Sequence, residues 1–506
     1  MKRPLGAGHS VASMRGIRPY SAWVVAVACV LVAAACGSTV DPAELALLER
    51  DPLGGAGPVQ ATSAATPGSG PSIPGDPSGG PGPGGSGGPI VPPPPPGTPA
   101  VGVDADTMTV GFLYAQDQSE ANAALGAGGI TGADEKRIWD ILIEDLNARG
   151  GIAGRRVVPV FHPIEAVSNQ TIASQLEEAC QTFTRDHQVY AALGGNPVES
   201  YVACLERAGT IALTSSLTTF DERGYGRYPN HVEVVAINLN RMATALAGGL
   251  ARGGYLTPGA SVGVLTYDSP SYDYALDRSL VPALEDLGVE PVVEQISEPE
   301  ELSEFGALSA QVSGAVLRFK TLDISHVILF ERQGEMTLFF LNEAEAQDYH
   351  PRYGLTSSSG NSQIVGSVPE GQLAGARSIG WFPYNDLTPE DSAKLPPNPS
   401  RARCVKLMAD GGVTFDSTNA AGLAASACDQ VWFLEQAVER AAAAGAITTS
   451  TWLAGVHGIG TGFVSGETFR VRFAPDQHDG VAAVAAMAFI RGCSCFRYTT
   501  APYAID

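Results

Sequence analysis

Lysine is scarce in this chain. Five occur among 506 residues, Lys2, Lys136, Lys320, Lys394 and Lys406, and none follows a glycine. That excludes the Gly-Lys-Ser/Thr phosphate cradle of the nucleotide triphosphatases. There is no His-Glu-x-x-His helix, no Cys-x-x-Cys pair, and no Gly-x-Ser-x-Gly elbow set between a strand and a helix. The usual signatures of zinc hydrolysis, dithiol redox chemistry and serine hydrolysis are therefore missing. Gly458, Gly460 and Gly462 form a glycine-rich bend without the third glycine of a dinucleotide fingerprint, and read as a loop. The expectation is a protein that is not an enzyme, with no cofactor and no metal. Positive charge is short overall: 31 Lys and Arg face 53 Asp and Glu, for a net charge of −22. So acidic a surface argues against nucleic acid and against an anionic membrane face as partners.

Long apolar runs are also lacking. The longest early one, 22–35 (AWVVAVACVLVAAA), falls short of the roughly 20 residues that a spanning helix needs. It follows Lys2, Arg3, Arg15 and Arg18, with no acidic residue before Cys36, and it ends in Ala33-Ala34-Ala35-Cys36-Gly37. A basic start, a short apolar run and small residues make an export signal over 1–35. Small residues directly before a cysteine resemble a bacterial lipobox, which implies cleavage before Cys36 and lipid attachment to its thiol. Ala33 stands where the lipobox usually has leucine. An ordinary secretory signal or an uncleaved short anchor is the alternative. From residue 36 to 105 the composition turns to Gly, Pro and Ser, with Pro92 to Pro96 unbroken. Such a segment cannot bury enough apolar surface to offset its chain entropy, and reads as a tether between a lipid and a globular body.

What is present beyond residue 106 is alternation. Short apolar runs at 110–115, 157–161, 189–193 and 211–214 read as strands, separated by helical stripes at 131–147, 170–186 and 199–208. A second series follows. Helices at 238–252, 272–287, 305–319 and 336–346 alternate with strands at 261–266, 289–294, 326–330 and 377–382. The expected fold class is α/β, with two doubly wound lobes built on parallel sheets. Later helices are expected at 400–409 and 420–444, and late strands at 467–473 and 488–499. Six cysteines remain after Cys29 and Cys36: Cys180, Cys204, Cys404, Cys428, Cys493 and Cys495. An even number in an exported chain suggests disulfides. Of the 15 connectivities the sequence-local one is favoured, 180–204, 404–428 and 493–495, although a bridge between residues i and i+2 of a strand sits near the distance limit. A redox or metal role for Cys493-Ser-Cys495 is the less favoured alternative.

The stretch 131–158 (TGADEKRIWDILIEDLNARGGIAGRRVV) is the most informative. Ile138, Ile141, Leu142 and Leu146 form one apolar stripe, with Thr131 as the expected N-cap. Gly150 and Gly151 end the helix, and a strand begins at once. The segment NARGGIAGRRVVPVFH resembles the N-terminal signature of type I periplasmic solute-binding proteins, the leucine/isoleucine/valine-binding family. The resemblance implies two lobes joined by a three-crossing hinge, with crossings near Ala236, Pro383 and Ser465. Lobe one would comprise 106–236 plus 384–465, and lobe two 237–383 plus 466–506. It also implies a match of the Cys180–Cys204 pair to a family disulfide.

In open parallel sheets ligands sit beyond the carboxyl ends of the strands. The loops there are Gly194-Gly195-Asn196-Pro197 and Thr214-Ser215-Ser216-Leu217-Thr218-Thr219. They match by position the family loops that hold a substrate carboxylate, which makes Gly195, Asn196, Ser215, Ser216 and Thr218 candidates. N-caps and turns use the same residue types. The long segment 116–129 is expected to rim the cleft. Tyr272 matches the family aromatic of lobe two. The stretch VILFERQGEM, 327–336, resembles a family segment but carries Glu331 and Arg332 where the family has Tyr and Gly residues. A Glu-Arg pair can read a zwitterion, and can equally be a solvated ion pair. Ser358 stands in the loop 356–361, where the amino-acid binders of the family carry an acid to meet the ligand's ammonium. No acid is present in this loop, so Glu331 is the candidate substitute; failing that, the ligand is not a simple α-amino acid. The resemblance implies an extracytoplasmic, lipid-anchored monomer that captures a small polar solute for the membrane subunits of an ABC permease. A sensor module of the same fold is the alternative, with a cell-envelope redox protein behind it. Trp381, beside the expected hinge, is a possible fluorescence reporter of closure.

Overall fold

The computed structural model describes residues 100–505 apart from 125–132, 169, 196–197, 215–219, 258, 300–303 and 416. The expected export signal, Cys36 and most of the tether lie outside the described residues. Among the described residues, no helix is long and apolar enough to cross a membrane.

The first sheet has five parallel strands in the order β2-β1-β3-β4-β5. They are β1 (Thr107–Gln116), β2 (Arg156–Glu165), β3 (Ala191–Leu193), β4 (Ile211–Thr214) and β5 (His231–Glu233). Side chains alternate across the sheet, so Phe112, Leu193, Ile211 and Leu213 enter one core while Leu113, Ala192 and Ala212 enter another. The helix Glu135–Ala148 buries its stripe in the first of these cores, together with Trp139 and Ile143. Its N-cap is Asp134, which accepts from the Arg137 N–H at 3.0 Å, whereas the expected cap Thr131 lies outside the described residues. The helix ends as read. Gly151 sits at φ +72, where a Cβ would lie 1.8 Å from the Arg155 carbonyl oxygen. The second core holds the helices Ile172–Gln181 and Glu199–Ala208, joined by the Cys180–Cys204 disulfide.

The second sheet has eight strands. Its main order is β12-β11-β10-β9-β8-β6-β7, and β13 pairs with β11. These are β6 (Val262–Tyr267), β7 (Val292–Ile296), β8 (His326–Phe330), β9 (Arg352–Thr356), β10 (Arg377–Gly380), β11 (Ala483–Ile490), β12 (Cys495–Tyr498) and β13 (Tyr503–Ala504). From β7 to β10 the pairing is parallel; β11, β12 and β13 are antiparallel additions at one edge.

Three expectations change here. The alternating stretch 467–473 is no strand. Only Val471 forms an isolated bridge, to Val481, while Phe473 packs into the first lobe's core. The run 488–499 is two strands rather than one, because the chain reverses through Cys493 and Ser494, the latter at φ +46. Gly458 and Ile459 belong to an unforeseen helix, Thr449–Ile459, whose Thr448–Thr451 capping box fixes its start. All three disulfides follow the sequence-local pairing. Cys404–Cys428 clips the helix Pro399–Asp410 to the helix Thr418–Ala443, which is buried along most of its length and completes the first lobe's core.

Between the two sheets the chain runs as adjacent segments tied by hydrogen bonds. Gly480 N donates to Glu233 O at 2.8 Å and Val481 N to Ala236 O at 3.0 Å. Thr468 Oγ1 donates to Trp381 O at 2.8 Å. Asp479, almost wholly buried, pairs with Arg241 and accepts from Asn238 N at 2.8 Å, so it anchors the first turn of the helix Leu239–Arg252.

Candidate functional site

A cavity of about 1030 Å³ opens between the sheets, at the upper end of the range for small-molecule sites. Its walls are the carboxyl ends of the parallel strands. Tyr114 and Ala115 come from β1 and Ile164 and Glu165 from β2, with Gly194 and Gly195 just after β3. From the other sheet come Asp268 after β6, Glu298 after β7, Arg332 after β8 and Ser359 after β9. Parallel strands leave their unpaired ends and following loops on one edge, so two such edges face each other across the gap.

The two glycines are required where they stand. Gly194 and Gly195 have φ of +91 and +74; a Cβ on Gly194 would lie 2.6 Å from Leu113 O, and one on Gly195 2.9 Å from Leu113 Cδ1. The Gly194 N–H is already used, donating to Gln430 Oε1 at 2.8 Å. Trp139 lines the same wall, its ring held by Nε1 donating to Leu113 O at 3.0 Å. Glu135 accepts from Ala115 N at 2.8 Å, and burial, only partly offset by that bond, raises its carboxyl to about 7.

Of the residues expected at the site, Gly195, Tyr272 and Arg332 line the cavity. Tyr272 is 3% exposed and stands edge-on to Tyr267 and Phe330, with centroids 5.2 and 5.5 Å away. Arg332 is paired with Glu298 at 2.9 Å. Asn196, Ser215, Ser216 and Thr218 lie outside the described residues.

Two expectations are corrected. Glu331 is not a lining residue. It is fully buried and accepts from Met336 N at 3.0 Å, Thr337 N at 3.3 Å and the Thr337 hydroxyl. The helix Glu335–Ala346 starts after Gly334, which has no side chain to cap it, and Glu331 supplies the missing acceptor. Burial, then the Glu335 charge, raises its carboxyl to about 8. Ser358 also turns inward. It is the middle residue of the 3₁₀ turn Ser357–Ser359, whose threefold winding brings Ser359 and Gly360 to the cavity instead. The rim expected as a loop over 116–129 contains a helix, Gln118–Ala124, that contributes Gln118 and Ala121.

The sequence reading missed most of the polar lining: Glu135, Glu298, Glu335, Gln363, Gln430 and Glu467. Glu135 was visible only as an acid in a helix's first turn. Gln430 and Glu467 carry no local signal, since they come from a core helix and from a stretch that resembles a strand. Among the described residues, no group of three or more His, Cys, Asp or Glu is placed to hold a metal ion.

Across the cavity mouth the lobes touch. The Arg223 guanidinium lies 3.7 Å from the Tyr274 ring centroid and donates to Pro270 O at 2.9 Å, while the Tyr274 hydroxyl donates to Glu222 Oε1 at 3.0 Å.

The family model described as periplasmic binding protein matches residues 107–492. No curated protein matches the sequence. Solved structures do. The chain is similar to a branched-chain amino acid ABC transporter protein from Thermus thermophilus with bound valine, at TM-score 0.56 and 14% identity over 79% of this chain and 97% of that one. It is similar to an R. palustris ABC transporter solute-binding protein in complex with 4-hydroxybenzoate, at TM-score 0.55 and 14% identity, covering 79% and 98%. A fatty acid ABC transporter substrate-binding protein from Thermomonospora curvata is similar at TM-score 0.54 and 13% identity, covering 81% and 95%.

Proposed function

Because this chain belongs to the periplasmic binding protein family, we propose that it captures a small polar solute between its two lobes and hands it to the membrane subunits of an ABC importer. The observation that carries this reading is the cavity, walled by the carboxyl ends of parallel strands from both sheets. A ligand there touches both walls only when the gap is narrow, so binding shifts the population toward closure. The lobes divide at the adjoining segments near Ala236 and Pro383 and, because Val471 and Phe473 pack into the first lobe's core, near Gly480 and Val481 rather than at the expected Ser465. The polar contacts at the mouth, Arg223 with Pro270 and Tyr274 with Glu222, hold the closed form.

The N-terminal sequence supports export and lipid attachment at Cys36, with 36–105 as a tether of monomeric chains to the membrane surface. Among similar proteins one has valine bound, one 4-hydroxybenzoate, and a third is the substrate-binding protein of a fatty acid ABC transporter, so the fold alone does not select the solute.

A melting screen of the exported protein against amino acids, amines, sugars, polyols and aromatic acids tests the reading. A true ligand at 100 times its dissociation constant adds roughly 2.7 kcal/mol. No response from any compound class would overturn solute capture. Cys36→Ala is expected to move the protein from the membrane fraction to the medium; retention on the membrane would overturn the lipid anchor.

A further inference from the structure

The cavity is strongly acidic. Glu135, Glu298, Glu335 and Glu467 line it together with Glu165, Glu199 and Asp268, and among the described residues the one lining cation is Arg332, which Glu298 already neutralises. Most of the inner acids are engaged: Glu135 with Ala115 N, Glu335 with the Tyr267 hydroxyl at 2.7 Å. Glu467 differs. It lines the cavity while only 1% exposed, and although its carboxyl is hydrogen-bonded with Ser426, its Oε2 has no hydrogen-bond partner. On the lobe-two wall the Tyr272 hydroxyl is likewise buried and unpartnered. Buried polar atoms are almost always satisfied, and two orphans lining one cavity point to groups on a ligand. An unpaired carboxylate oxygen calls for a donor, and the surplus of acids favours a donor that carries positive charge. Between them the walls are apolar, with Trp139, Phe220, Leu338 and Ile364.

We propose that the solute is a cationic amine or guanidine on an apolar or aromatic body, its protonated nitrogen received by Glu467 and an oxygen of its body by the Tyr272 hydroxyl. This deepens the solute-capture reading and depends on it. The groups around Glu467 are consistent. Asp429 of the helix Thr418–Ala443 is a second acid beside it; its carboxyl accepts from Gly466 N at 2.8 Å and from Ser465, and burial raises it to about 7. Arg401 of the helix Pro399–Asp410 is spent elsewhere, donating to Gly466 O at 2.9 Å and lying over the Tyr384 ring. Tyr384 is held neutral by burial. Burial first, and Asp429 next, raise the Glu467 carboxyl well above its ordinary range, against the opposing pull of its hydrogen bond with Ser426 and of the Arg401 charge. A cationic solute at Glu467 favours the ionised carboxyl, so binding is accompanied by proton release at pH values where the free site holds a proton.

The test is isothermal titration of the full chain with tyramine and agmatine, against 4-hydroxyphenylacetate, which keeps tyramine's phenol but replaces its ammonium with a carboxylate, and against valine. Binding of either amine with at least tenfold preference over both controls is expected. Proton release should be visible as a dependence of the heat on buffer ionisation. Glu467→Gln should weaken amine binding at least tenfold and abolish the proton release, and Tyr272→Phe should weaken tyramine binding. A melting temperature close to that of the unmodified protein shows that each variant folds. A preference for 4-hydroxyphenylacetate or valine, equal binding of all four, or silence of both amines would overturn the cationic assignment. In the last case a hit from sugars or aromatic acids in the melting screen leaves solute capture standing, whereas silence there too removes both.

Discussion

Glu331 and Glu135 exchange the roles their sequence positions suggest. Glu331 follows a strand at the cavity edge, yet it turns back to satisfy the N–H groups of Met336 and Thr337. Glu135 looks like an ordinary first-turn acid, yet it lines the cavity. Glu331→Ala takes the carboxylate acceptor from three buried donors, Met336 N, Thr337 N and the Thr337 hydroxyl, and is expected to cost about 1–3 kcal/mol in urea unfolding, with solute affinity little changed. A large loss of affinity at unchanged stability would show instead that Glu331 meets the ligand. Glu135 predicts a pH effect of defined sign. Its folded value, about 7, lies above the ordinary 4.5. The folded state therefore holds that proton more tightly, and the stability it contributes is full below 4.5 and is lost as pH rises through 7. Glu135→Gln cannot titrate, so the melting-temperature profile between these pH values should be flatter in the variant than in the parent.

At the scale of elements, the helix Glu222–Arg227 and the helix Pro270–Ala275 meet across the mouth of the cavity through Arg223, Tyr274 and Glu222. Arg223 is substantially exposed, and exposed pairs and cation–π contacts contribute about 0.5–1 kcal/mol each. Tyr274→Ala removes the stacking of Arg223 and the bond to Glu222 while sparing the pair of Arg223 with the fully buried Asp221; it should therefore leave the melting temperature of the ligand-free protein nearly unchanged and speed solute release by about fivefold, read by stopped-flow displacement. An unchanged release rate would remove the contact from the closing mechanism. The disulfides also act at this scale. Cys180–Cys204 and Cys404–Cys428 each close a separation of 24 residues between paired helices. By the chain-entropy account each contributes about 3 kcal/mol, whereas Cys493–Cys495, two residues apart, restrains little chain. Replacing Cys404 and Cys428 by serine should lower the melting temperature far more than replacing Cys493 and Cys495.

Over the whole molecule the two sheets are linked through few, mostly buried bonds, with the Arg241–Asp479 pair at their centre. Removing one partner of a buried pair strands the other charge, so Asp479→Ala should cost about 3–5 kcal/mol in denaturant unfolding; a loss below 1 kcal/mol would mean that water reaches the pair. The α/β alternation, the helix that ends at Gly150 and Gly151, the sequence-local disulfides and the family resemblance were all legible in the chain, because each depends on residues close together in sequence. The stretch 467–473 was misread for the same reason: Phe469, Val471 and Phe473 alternate like a strand, but Phe473 is drawn into the first lobe's core and little ladder forms. Periodicity and turn chemistry, being local, were enough to specify two covered sheets with parallel centres and the strand ends on which a site could lie; the antiparallel edge of the second sheet, β11 to β13, was not among them. Only the tertiary structure decided which side chains face the gap. The lining joins Tyr114 to Glu467 across more than three hundred residues, and a carboxylate's direction is set by the nearest unsatisfied donor in space, which no local pattern records.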